Sequence, residues 1–163
     1  MKPPITSAGS KRLNVVANGC GPRTASLLRQ TARFVLTREG IIRGSIEITV
    51  VSDATMRQAH QQWKGDSSAT DVLTFDMGGT AETVDGLIMT CRDTARREAR
   101  RRGTSANSEL RLYVVHGCLH LCGYDDRKRR DFLRMHQRED ELLAALGCGR
   151  IFSAEWPSTS RAT

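Results

Sequence analysis

The segment SIEITVV, residues 45–51, constrains the fold most, because Ile46, Ile48 and Val50 alternate with Glu47 and Thr49. A period of two sends successive side chains to opposite faces of an extended chain, so the segment predicts a strand with one buried face. On either side the spacing becomes helical. Leu28, Ala32 and Val35 form one stripe within residues 24–38, and Met56, Ala59, His60 and Trp63 share a face of a helix that Asp53 caps. Gly40 and Gly65 end these two helices.

A short strand is expected at residues 13–17. TDVLTF (70–75) and GLIMTC (86–91) are rich enough in β-branched and apolar residues for two more, pairing as neighbours with Gly78 and Gly79 in their connection. Three helices follow, over 93–102, 108–122 and 126–146, ended by Gly103, Gly123 and Gly147. The last carries Phe132, Met135, Glu139, Leu142, Leu143 and Leu146 at helical spacing. Strands interleaved with helices early and helices massed late predict an α+β fold, a small mixed sheet packed with helices. One domain over residues 11–152 accounts for the pattern. Residues 1–10 and 153–163 read as loose ends, being rich in Pro, Gly and small polar residues or in the run PSTSRAT.

Twenty-five Lys and Arg against 18 Asp and Glu give a net charge of +7, which favours polyanionic partners such as nucleic acid. The five cysteines, Cys20, Cys91, Cys118, Cys122 and Cys148, form no CxxC pair, so reduced and mostly buried thiols are expected rather than a disulfide framework or zinc ribbon. The N-terminus lacks the apolar core of a signal peptide, and no apolar run approaches the roughly 18 residues of a membrane span. The expected location is the cytoplasm. No Gly-rich phosphate loop is present, so no nucleotide cofactor is expected.

Chemistry concentrates in HGCLHLCGYDD, residues 116–126. His116 and His120 are four apart on a helix and project from one face, about 6 Å apart along the axis, which suits two ligands of one ion. Gly123 breaks the helix, and a chain turning there can bring residue 125 or 126 back to the same ion. Asp126 is the expected third ligand. The flanking Val114, Val115, Leu119 and Leu121 lower the local dielectric, where a cation with three ligands is well held. Cys118 and Cys122 lie about 200° around the helix from the histidines and read as core. His60 reads as structural, and His136 as a helix-surface residue rather than a fourth ligand.

These residues resemble a known family, the YbeY-type bacterial endoribonucleases of ribosomal RNA maturation and ribosome quality control. HGCLHLCGYDD resembles the family's HGxLHLxGYDH and TDVLTF its TDVLSF, while WKG at 63–65 and DGLI at 85–88 match more loosely. The resemblance spans roughly residues 44–147 and implies a compact α+β fold, one zinc-like ion on three side chains, and single-stranded RNA as substrate. It also implies work on the small ribosomal subunit, in maturation of the 16S rRNA 3′ end.

Two positions depart from that pattern. The family has a third histidine where this chain has Asp126, and an arginine where it has Lys64. A carboxylate still binds zinc, at about 2.0–2.2 Å. It cancels one unit of the ion's charge, so bound water becomes less acidic and a harder metal such as Mn²⁺ becomes admissible. Lys64, catalytic by the resemblance, keeps a positive charge for a phosphate but loses the two-pronged geometry of arginine. The resemblance also brings Thr70 and Asp71 near the cleft.

Two other readings compete. The ligand spacing is that of an extended zincin, yet a zincin needs Glu after its first histidine, and Gly117 stands there. A non-catalytic RNA or ribosome-binding module is the other. The basic runs Arg96, Arg97, Arg100, Arg101 and Arg102, and Arg127, Lys128, Arg129 and Arg130, serve either an enzyme or a binder, or are solvated helix faces.

Overall fold

The alternation at 45–51 produces β2 (Arg43–Val51), with Ile46, Ile48 and Val50 buried and Glu47 exposed, in a computed structural model that describes residues 12–149. The other strands are β1 (Leu13–Asn18), β3 (Val72–Gly79) and β4 (Thr83–Cys91), and the sheet order is β1-β2-β4-β3. β2 runs parallel to both β1 and β4, and β3 pairs antiparallel with β4, so the sheet is mixed and β3 lies at an edge. Parallel neighbours need a crossover, which α1 (Pro22–Arg38) provides between β1 and β2. The other helices are α2 (Asp53–Lys64), α3 (Arg92–Arg102), α4 (Ala106–Leu121) and α5 (Arg129–Ala145).

The two sheet faces are unequal. Leu28, Val35 and Leu36 of α1, Ile46 and Ile48 of β2, Ile88 of β4 and Leu119 of α4 are all fully buried in the main core. Burial of each such side chain contributes about 1.5–3 kcal/mol, so this face dominates stability. A smaller cluster of Met56, Ala59, Leu73 and Cys91 covers the opposite face beneath α2. Glycine sets how closely α4 approaches β4. A Cβ on Gly117 would stand 2.9 Å from Ile88 Cγ2, and one on Gly86 would stand 2.7 Å from Leu121 Cδ2. That contact seats the C-terminal half of α4, with His116 and His120, beside the sheet edge.

Several expectations need correction. Trp63 is 63% exposed, because the buried face of α2 ends at Ala59 and the last turn runs past the sheet onto the ring edge of Phe75. Gly78 and Gly79 lie inside β3 rather than in a connection, their φ values of 128° and 158° serving a bulge between Asp76 and Gly78. Helix α5 begins at Arg129, not Asp126, because the Asp125 carboxylate accepts the Arg127 backbone N–H at 3.0 Å and holds a turn there. Of the free cysteines only Cys91 and Cys118 are fully buried, and Cys122 packs half-buried against the core. The expected loose ends lie outside the described residues. No helix among the described residues is long and apolar enough to cross a membrane.

Candidate metal centre

Helix α4 starts at an N-cap, Ser105, whose side chain accepts the Ser108 N–H, and Cys122 closes it. Gly123, at φ 92°, then turns the chain so that the Tyr124 N–H returns to the Leu119 carbonyl at 3.0 Å. The Tyr124 side chain is held by Glu39, itself fixed by Arg138, and by Arg134. Its hydroxyl donates to Glu39 Oε2 at 3.1 Å, Arg138 Nε donates to Glu39 Oε1 at 2.6 Å, and the Arg134 guanidinium lies 5.2 Å from its ring centre. The ends of α1 and α4 and the face of α5 thereby fix the turn that Asp126 follows.

The hydrogen bonds decide which histidine nitrogens are bare. His120 Nδ1 lies 3.0 Å from the Tyr124 carbonyl, which can only accept, so this nitrogen carries the proton. His116 Nδ1 lies 2.5 Å from Glu139 Oε1. Burial pushes the Glu139 carboxyl up, but hydrogen bonds from His116 and His136 outweigh it and hold it below the usual range, so Glu139 accepts. Burial pulls His116 down, yet the bond to Glu139 and its charge leave it raised overall. His120 is lowered, first by burial and then by the charge of His116.

With Nδ1 donating in each ring, a neutral imidazole keeps its lone pair on Nε2, and the two Nε2 atoms lie only 2.9 Å apart, at hydrogen-bonding distance. Asp126 Oδ2 lies 3.7 Å from His116 Nε2 and 3.5 Å from His120 Nε2, and the three ligand atoms all fall within 4.8 Å of one another. With no proton between them three such electron-rich atoms repel, and a shared proton or a cation relieves that repulsion. One ion at about 2.0–2.1 Å from each imidazole nitrogen fits a pair at this separation. The donor set therefore fits a divalent metal. Asp125 lines the same cleft but is engaged elsewhere: its carboxylate takes the Arg127 guanidinium at 2.6 Å and lies far below the usual carboxylate range, chiefly through that bond.

The three residues open onto a cleft of about 840 Å³ that Lys64, His60, Thr70, Asp71 and Arg127 also line. Lys64 ends α2 immediately before Gly65, which is left-handed, and so faces the same space as the histidines. His60 is half-buried and donates through Nδ1 to the Ser68 carbonyl at 3.1 Å, tying α2 to the loop before β3. His136 is not a surface residue. It is 5% exposed and donates from Nδ1 to Glu139 Oε2 at 2.7 Å, because α5 turns this face against α4. The arginines of α3 are largely engaged: Arg97 with Asp53, Arg101 with Glu98, and Arg102 with Glu98 and Glu109.

Sequence reasoning did not assign Glu139 a place at the site. The available signal was a carboxylate on the apolar stripe of α5, a position where a charge is tolerated only with partners.

Fold and site together define an α+β domain in which a late helix and the turn after it gather two histidines and a carboxylate at a sheet-edge cleft. The family model described as Endoribonuclease YbeY matches residues 18–147, and the chain belongs to that family. Proteins named Endoribonuclease YbeY from Myxococcus xanthus, Anaeromyxobacter dehalogenans and a Nocardioides species are 34%, 36% and 33% identical to it. The matches cover 81%, 78% and 76% of this chain. They take in 47% of the Myxococcus protein, 67% of the Anaeromyxobacter protein and 90% of the Nocardioides protein, so the chain spans about half the length of the first of them. In fold it is similar to the solution structure of TM1509 from Thermotoga maritima, with a TM-score of 0.57 at 23% identity, covering 91% of this chain and 99% of that one.

Proposed function

We propose that this chain is a metal-dependent endoribonuclease that cuts single-stranded RNA, with residues 11–152 as its hydrolase domain. His116, His120 and Asp126 hold one divalent ion, Zn²⁺ in the first instance and Mn²⁺ as the alternative that a carboxylate ligand admits. The observation that carries this reading is the convergence of two imidazole lone pairs and a carboxylate oxygen at an open cleft. The name shared by the relatives supplies the reaction, and the charge of +7 agrees with a polyanionic substrate.

A bound divalent ion supplies Lewis-acid chemistry, acidifying water and polarising a phosphoryl oxygen. The chain's own residues do the rest. The Tyr124 carbonyl and Glu139 hold the two imidazoles in the tautomers that leave Nε2 free for a ligand. Lys64 offsets charge growing on phosphate oxygens, a role for which Arg127 is less available while it pairs with Asp125. Asp66, Asp71 and Asp76 also line the cleft and repel a bare phosphate, so RNA binding there depends on the ion as well as on Lys64. The biological substrate we infer is ribosomal RNA, at the 3′ end of 16S rRNA on the small subunit, in maturation and ribosome quality control in the cytoplasm.

The test is cleavage of a single-stranded RNA oligonucleotide by purified protein with Zn²⁺ or Mn²⁺. Asp126→Ala and His116→Ala should lose bound metal and reduce cleavage about 100-fold or more, while Asp125→Ala keeps its metal. Undiminished cleavage by Asp126→Ala would sink the ligand assignment. Tight RNA binding without turnover under either metal would instead identify a binding module.

A further inference from the structure

Glu139 is a carboxylate with no exposed surface, set on the core-facing stripe of α5 between Met135 and Leu142, and each of its oxygens is committed to a different imidazole. Oε1 accepts from His116 Nδ1 and Oε2 accepts from His136 Nδ1. Burying a carboxylate there is unfavourable until hydrogen bonds offset the lost solvation, and a leucine would fill the same stripe without that penalty. His136 is itself almost fully buried, with its ring centre 4.0 Å from that of Phe132 and 6.2 Å from that of His116.

We propose that Glu139 and His136 are positioning residues: His136 fixes the rotation of the Glu139 carboxylate, and Glu139 fixes the tautomer of His116 so that its Nε2 lone pair faces His120 and Asp126. This rests on the metal reading above. The geometry points to a directional chain. A neutral imidazole that lacks the Nδ1 bond can carry its proton on Nε2 instead, and a protonated Nε2 cannot bind a metal. The carboxylate that accepts from Nδ1–H removes that alternative and makes Nε2 the more basic nitrogen. His136 matters because a carboxylate bonded through one oxygen alone can rotate about its terminal bond. With the second oxygen tied to His136 Nδ1–H, the first stays aimed at His116.

The experiment combines two readouts that need no RNA. In the metal-free protein at alkaline pH, long-range ¹H–¹⁵N NMR should show His116 as the Nδ1–H tautomer, with a growing Nε2–H population in Glu139→Gln. Zn²⁺ affinity, measured by competition with a chromophoric chelator, should fall about 10–100-fold in Glu139→Gln. It should fall in the same direction in His136→Leu, and be restored towards wild type in His136→Gln, whose amide can still donate to Glu139. A purely structural role for the pair would lower the melting temperature of all three variants without moving the tautomer or separating Leu from Gln at 136.

The proposal is overturned if folded Glu139→Gln binds Zn²⁺ as wild type does, or if wild-type His116 carries its proton on Nε2. Should Glu139→Gln fail to fold, the wild-type tautomer and the two His136 variants decide the matter. Should wild type bind neither Zn²⁺ nor Mn²⁺, the metal reading fails, and the tautomer measurement still tests the orienting role.

Discussion

Asp126 stands where the resembling motif carries histidine, and it lies in the turn before α5 rather than in the helix, so its carboxylate can reach back to His116 and His120. The substitution Asp126→His tests what the carboxylate contributes. On the proposed reading it would keep three ligands but remove one negative charge from their set, which would make water on a bound ion more acidic and favour softer Zn²⁺ over Mn²⁺. The pH–activity profile should move to lower pH, and the ratio of Zn²⁺ to Mn²⁺ affinity should rise by about tenfold, both measurable with the purified variant. An unmoved profile would mean that Asp126 does not touch the ion. The convergence of His116, His120 and Asp126 was legible in the sequence because one helix and one glycine turn join them. Glu139 was not, since it meets His116 across 23 residues through the packing of α5 on α4. His136 was misread because a histidine is placed on a helix surface by default when its partner is unknown.

Among the elements, the junction of α2 with α3 depends on one carboxylate in the first turn of α2. Asp53 takes the Arg97 guanidinium at 2.6 and 3.2 Å and the Cys91 thiol at 3.0 Å, while its own N–H donates to Asp93 at 2.9 Å. The Arg97 bond, with help from Cys91, draws the Asp53 carboxyl from its ordinary 3.8 down to about 2. A carboxyl whose folded value lies below its unfolded one stabilises the fold above the unfolded value, and that stability fades as pH falls from about 4 to about 2. Side-chain exposures of 31% for Asp53 and 50% for Arg97 place the pair with solvent-screened ones. Asp53→Asn should therefore cost only about 0.5–1 kcal/mol at neutral pH and flatten the stability loss between pH 4 and 2, as read by urea unfolding. Helix ends were well marked in the sequence by glycine, a backbone requirement that travels with the residue. The start of α5 was not, because a side-chain bond from Asp125 held the turn open. The buried face of α2 was overextended to Trp63 because periodicity shows which residues align, and only the sheet edge shows where burial stops.

At the scale of the molecule, the sequence pattern paired β3 with β4 as neighbours, and the full strand order β1-β2-β4-β3, with β2 parallel to both β1 and β4, was beyond it. The order matters because it puts β3 at the edge, where Thr70 and Asp71, just before the strand, can share a cleft with the end of α4. The proposed ligands are brought together by α4 and the turn after it, so an ion there would bind the folded chain more tightly than the unfolded one. Adding Zn²⁺ at about 100 times its dissociation constant should stabilise the fold by about 2.7 kcal/mol and raise the melting temperature by about 5–10 °C, with EDTA reversing the gain. A melting temperature indifferent to both would count against the centre.

The seat of Gly117 on Ile88 also bears on what this scaffold can become by mutation. A zincin carries its water-activating glutamate directly after the first histidine. Here that position points into the central sheet, 2.9 to 3.1 Å from three atoms of a fully buried isoleucine. A glutamate installed there would require the Ile88 side chain, or the helix above it, to give way. Two chemistries that share a ligand spacing are thus kept apart here by the packing of one glycine against one core isoleucine.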